Sequence, residues 1–75
     1  MIKHKADVNV QNQLGETPLM AASVQGHEEV VKILLQAGAN VGLRDRDGHT
    51  ALTGAAERNH ETIIRLLIQA GPMWM

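Results

Sequence analysis

The sequence predicts an all-α solenoid of stacked helix-turn-helix repeats joined by β-turn loops, and three observations carry that expectation. The chain repeats itself without a gap: Gly15 falls on Gly48, an offset of 48 − 15 = 33 residues. Each unit has one local order, a turn, a short helix, a second helix and a closing glycine. The second helices carry apolar residues around more of their circumference than the stripe of about 100° that a helix lying on one neighbour needs.

The register holds through both units. Thr17 meets Thr50, Leu19 meets Leu52, Ala22 meets Ala55, His27-Glu28 meets His60-Glu61, and Gln36-Ala37-Gly38 meets Gln69-Ala70-Gly71. The units open on Asn12-Gln13-Leu14-Gly15 and Asp45-Arg46-Asp47-Gly48, turn sequences with Asn or Asp first and Gly last. Thr17 and Thr50 stand where a hydroxyl caps a helix, and Pro18 sits at a first helical position, where its missing N–H is harmless. First helices are expected over 18–25 and 51–58, stopped by Gly26 and Asn59, residues that tolerate a left-handed backbone. Second helices are expected over 28–37 and 61–70, with Glu28, Glu29 and Glu61 at the positive end of the dipole and Gly38 and Gly71 beyond. Val30, Val31, Ile33, Leu34 and Leu35, then Ile63, Ile64, Leu66, Leu67 and Ile68, require neighbours on more than one side, which stacked repeats supply.

Gly15-Glu16-Thr17-Pro18-Leu19-Met20-Ala21-Ala22 resembles the G-x-T-P-L-H-x-A signature of the ankyrin repeat. The likeness continues through Gly26-His27-Glu28-Glu29-Val30-Val31 and Leu34-Leu35-Gln36-Ala37-Gly38-Ala39-Asn40, so it covers nearly the whole chain. Extended backwards, the register makes residues 1–11 the stub of a preceding repeat and its loop, followed by repeats over 12–44 and 45–71 and a tail over 72–75. Several positions depart from the family pattern. Met20 and Thr53 replace its histidine, Ala51 its proline, Gly42 its loop asparagine and Lys5 a glycine, where a positive φ would strain lysine. Gly54 in a helix interior is expected to cost up to about 1 kcal/mol against alanine.

Composition narrows the function. With 75 residues, 44% of them hydrophobic and 20% charged, the chain has room for one small globular domain. It has no cysteine, which excludes disulfides and thiolate metal sites and fits a reducing compartment, favouring an intracellular setting, cytoplasmic or nuclear. A net charge of −1 and Trp74 as the single aromatic argue against nucleic acid, which calls for a basic patch and stacking platforms. No apolar run approaches the roughly 20 residues of a membrane span, and no signal peptide is expected, because no apolar core of signal-peptide length follows Met1-Ile2-Lys3-His4-Lys5.

Catalytic and metal motifs fail on inspection. His27-Glu28 and His60-Glu61 lack the second histidine of a zinc-protease helix, since Val31 and Ile64 stand there. Equivalent positions on stacked helices lie about 8–10 Å apart, so these histidines are expected to bond backbone at helix starts rather than share a metal. If Gly48 were the sixth position of a calcium loop, its first ligand would be Leu43, so the aspartates read as turn formers. No base accompanies Ser23 in a local motif and no phosphate loop appears, so neither an enzyme nor a cofactor is expected.

A protein partner is the expected ligand. The family resemblance implies that it meets the turn tips and the concave face of the first helices. The positions left free by the repeat grammar there are Gln11, Gln13, Leu14, Glu16, Val24 and Gln25, then Arg44, Arg46, Asp47, His49, Glu57 and Arg58. Leu14 and Val24 are expected as exposed apolar contacts, and the second unit as a face charged with both signs. Asn9 resembles the loop asparagine that some members present to an asparaginyl hydroxylase, against the simpler role of bonding the loop backbone. The alternative function is a self-associating structural repeat fragment or a designed or excised scaffold. Solenoids normally need about three repeats and polar terminal caps, whereas the last unit keeps Ile63, Ile64, Leu67 and Ile68. A longer parent array, burial against a second copy, or Met73 and Trp74 folding over the end would each cover them.

Overall fold

The computed structural model describes residues 8–70, and they form four helices in two layers. These are α1 (Pro18–Gln25), α2 (Glu28–Gln36), α3 (Ala51–Glu57) and α4 (Glu61–Ala70). Helices α1 and α3 lie side by side in one layer, α2 and α4 form the other, and each first helix packs on its own second helix.

The two turns are built alike. Asn12 Oδ1 accepts the N–H groups of Leu14 and Glu16, both at 2.9 Å, while Gly15 N–H donates to Asn12 O at 2.9 Å. In the second turn Asp45 Oδ1 accepts from Asp47 and His49 at 2.8 and 2.9 Å, and Gly48 N–H donates to Asp45 O at 3.0 Å. The turns join where Arg46 N–H donates to Leu14 O at 2.9 Å. Gly15 is required there: its φ is +81°, and a Cβ would stand 2.9 Å from Arg46 N.

The helix starts follow the threonines. Thr17 Oγ1 accepts from Met20 N–H at 3.2 Å, and Thr50 Oγ1 from Thr53 N–H at 3.3 Å. Thr53, the second-unit replacement of the family histidine, also accepts Thr50 N–H at 3.3 Å, closing a reciprocal box that Met20 cannot make in the first unit. Lys5, Gly71, Met73 and Trp74 lie outside the described residues.

Two helix ends correct the expectation by one residue. Helix α2 stops at Gln36 rather than 37, because Ala39 N–H turns back to Leu34 O and Gly38 N–H to Leu35 O with Gly38 at φ +91°. Helix α3 stops at Glu57 rather than 58, because His60 N–H reaches Ala55 O and Asn59 N–H reaches Ala56 O, with Asn59 at φ +61°.

The core is Leu19, Met20, Ala22, Val31, Ala51, Ala55, Ile63 and Leu67, with Leu34, Leu35, Val41, Leu43, Ile64 and Leu66 packed against it. Each fully buried Leu, Val or Ile contributes about 1.5–3 kcal/mol. The wide apolar faces are not covered all round by the described residues. Val30 and Ile33 are exposed, whereas their counterparts Ile63 and Leu66 are buried and half-buried against the first repeat. The reverse holds at the other edge, where Leu19 is 1% exposed and Leu52, the same residue one repeat later, 39%.

Candidate protein-binding groove

Helices α1 and α3 leave an open groove of about 230 Å³ between them. Met20, Ala21, Val24 and Gln25 line it from α1 and Gly54 and Glu57 from α3, with Glu16, Asp45, His49 and Thr50 at the turn end. Gly54 makes the approach of the two helices possible. It is buried, and a Cβ built on it would overlap Val24 Cγ2. To its expected propensity cost the structure adds a packing reason for Gly54: its missing side chain is the space Val24 occupies. Ala21, the same register position in the first unit, is exposed and free to carry a methyl group.

Five of the residues expected at the binding face meet in this groove: Glu16, Val24, Gln25, His49 and Glu57. A shallower depression at the turn tips collects Leu14, Glu16, Arg46 and Asp47 around Asp45. Leu14 is 56% exposed there, as expected. Val24 is half-buried against Gly54, so its expected exposure is corrected, and it serves as floor rather than as a projecting contact.

Two of the expected residues tie the repeats together. Gln11 Nε2 donates to Gly15 O and to Arg44 O, each at 2.9 Å, bridging the two units at their loops. Arg46 Nη1 donates to Gln13 O at 3.3 Å. Gln13, Arg44 and Arg58 are exposed outside both depressions, with Arg58 capping the end of α3. Sequence reasoning missed Asp45, Met20, Ala21, Thr50 and Gly54 as lining. The signal for two of them was available, since Ala21 and Gly54 share one register position and are both small.

The groove's turn end is electrostatically fixed. The His49 backbone N–H holds the Asp45 carboxyl below its ordinary value, joined by the Asp47 N–H and the His49 ring against an opposing effect of burial. His49 Nδ1 lies 3.8 Å from Asp45 Oδ2. Asp45, Asp47 and His49 bring one ligand atom each within 4.8 Å of one another, but Asp45 Oδ1 is already taken up by two turn N–H groups, so the cluster is explained by the turn it closes.

The two equivalent histidines differ. The His60 ring lies over Gly26 with Nε2 3.1 Å from Val24 O, so it bonds the end of α1 in the preceding repeat rather than its own helix start. His27 is exposed and makes no cap hydrogen bond, which corrects the expectation that both bond backbone. Asn9 is half-buried, and its Oδ1 accepts Asn40 N–H at 2.7 Å, tying one loop to the next. Among the described residues no helix is long and apolar enough to cross a membrane.

A family model described as ankyrin repeats, in three copies, matches residues 1–73. The mouse protein named Protein fem-1 homolog A-like is 46% identical over 37 residues, 49% of this chain and 6% of that protein. Alpha-latrocrustotoxin-Lt1a of Latrodectus tredecimguttatus is 50% identical over 38 residues, 51% of this chain and 3% of the toxin. The chain thus corresponds to a small part of the length of these relatives.

Proposed function

This chain belongs to the ankyrin repeat family, whose members are generally protein-interaction modules and typically non-catalytic, and from that premise we propose that it binds a polypeptide partner through its turn tips and the concave face of α1 and α3. The observation that carries this reading is the groove, where Glu16, Gln25, His49 and Glu57, none with a necessary part in the repeat grammar, converge on an apolar floor that includes Val24. Convergence of polar groups around a partly apolar hollow on rigid helices is what a binding surface requires. The turn-tip depression beside it adds Leu14, an exposed apolar contact, and Arg46 and Asp47, charges of both signs.

The test is to pan a random-peptide library against the chain and titrate the selected peptides against variants. Ala21→Trp fills the groove from an exposed position, and the pair Arg46→Glu with Arg58→Glu reverses charge around it. Selected peptides are expected to bind Ala21→Trp at least about tenfold more weakly, a loss of about 1.4 kcal/mol, and to change in affinity for the charge-reversed pair, with unchanged circular dichroism in both. Peptides indifferent to both changes would overturn the proposal.

A second reading, self-association, is favoured by one observation. Leu52 and Ile68 are 39% and 60% exposed at the edge of the second repeat, where the first repeat buries Leu19 under its neighbour. That edge has the chemistry of an inter-repeat surface, and a further repeat or a second copy would satisfy it. Sedimentation of this chain at tens of micromolar separates the two: dimers or larger species support a self-associating edge, and a stable monomer rejects it.

A further inference from the structure

We infer that the groove between α1 and α3 selects a basic polypeptide segment, one that lays a short side chain over Ala21 and Val24 and offers two cationic groups to Glu16 and Asp45 at one end and Glu57 at the other. The inference rests on the proposed binding role of this groove and names the chemistry of its occupant.

Size comes first. At about 230 Å³ and open along one side, the groove is smaller than the roughly 300–1,000 Å³ of pockets that enclose small molecules, and suits side chains of a segment lying across it. Its floor is Met20, Ala21, Val24 and Gly54, which favours a small apolar contact. Charge decides the rest. The lining holds three carboxylates, Glu16, Asp45 and Glu57, and neither lysine nor arginine; His49 is its one other titratable group.

Among the described residues Asp45 Oδ2 lies 3.8 Å from His49 Nδ1, and neither Glu16 nor Glu57 makes a salt bridge. Glu16 is oriented by Asn12 Nδ2, which donates to its Oε1 at 3.2 Å. Arg46 and Arg58 stand outside the lining, Arg46 with its guanidinium on Gln13 O. An anionic segment would therefore meet three like charges beside an apolar floor, where repulsion costs several kcal/mol in a desolvated contact, whereas a cationic one is attracted before it docks.

Spacing follows from the helix. Thr50 caps α3 at the turn end and Glu57 closes it, so the acidic ends are separated by about 10 Å at a rise of about 1.5 Å per residue. An extended segment advances about 3.3 Å per residue and turns alternate side chains to opposite faces, so basic residues four positions apart, with the small residue midway, face the two ends together, their long side chains taking up the difference.

The library experiment tests this separately from the binding role. Peptides whose binding Ala21→Trp abolishes are expected to carry Lys or Arg pairs four positions apart with a small residue midway. They are expected to bind Glu57→Gln about threefold more weakly and the pair Glu16→Gln with Glu57→Gln about tenfold more weakly, and to lose affinity between about 50 and about 300 mM salt. Glu57 makes no hydrogen bond within the described fold through its side chain, so Glu57→Gln reads charge without disturbing the turn. Groove-directed peptides that are neutral or acidic, or basic ones indifferent to Glu57→Gln, would overturn the inference while leaving the binding role intact. If no selected peptide responds to Ala21→Trp, the groove is not the site and this inference falls; if none responds to the charge-reversed pair either, the binding role falls with it.

Discussion

Gly54→Ala is expected to destabilise the chain, although it replaces the poorest helix former but proline with the best. Alanine gains about 1 kcal/mol over glycine in a helix interior. Against that, the new methyl would occupy the space of Val24 Cγ2. Valine has one strongly preferred χ1 in a helix, so it cannot swing aside freely, and overpacking a close contact costs about 1–3 kcal/mol. The balance is a net loss of about 1 kcal/mol, or a fall in Tm of about 4–8 °C for a chain of this size. The same substitution made with Val24→Ala removes the obstruction and leaves propensity alone, so there it should stabilise by about 1 kcal/mol. Ala21→Gly, at the equivalent exposed site, supplies the ordinary propensity cost of about 1 kcal/mol with no packing contribution. Urea unfolding followed by circular dichroism measures all three, and a double-mutant cycle isolates the coupling. If Gly54→Ala stabilises the chain with Val24 present, the glycine is not there for packing and the account of the groove floor is wrong.

The equivalent histidines should respond unequally: His60→Ala, which removes the ring from Val24 O, is expected to lose about 1 kcal/mol in chemical denaturation, and His27→Ala less than about 0.5. Equal losses would remove the inter-repeat role of His60. Ser23 is fully buried with its Oγ unpartnered, and its counterpart is Ala56; Ser23→Ala is therefore expected to raise stability by about 1 kcal/mol, and a loss of that size would show that the hydroxyl has a partner. Asp45→Asn keeps the turn geometry that Asn12 already provides in the first unit but lacks the charge. Because the Asp45 carboxyl is held below its ordinary value, its contribution is complete above 3.8 and is lost as pH falls through the lowered value in the fold. The stability gap between wild type and Asp45→Asn should accordingly be present at neutral pH and close on acidification, and a gap that stays constant with pH would contradict the assignment.

What the sequence disclosed and what it withheld divide along one physical line. Interactions inside a repeat recur with it: the Asx turns at Asn12 and Asp45, the threonine caps and the left-handed residues Gly26, Gly38 and Asn59 were all readable, because each satisfies its own local backbone. The misplaced helix ends, at Gln36 and Glu57, differ by the one residue that a C-terminal cap takes from the helix. Interactions between repeats do not recur, because a residue's register position says nothing of which side has a neighbour. Leu19 and Leu52 are identical in type and place, yet one is sealed and the other open. His60 finds Val24 O where no described residue plays that part for His27. Gly54 differs from Ala21 because α1 lies against it. The groove belongs to this second class. Its walls come from consecutive repeats, and its acidic character exists only once stacking sets Glu16 of the first unit beside Asp45 and Glu57 of the second. Listing variable positions within each repeat therefore found half of the lining and placed arginines on the same face. Pairing the concave positions of one unit with those of the next, at the offset of 33, would have separated the acidic floor margin from the arginines around it.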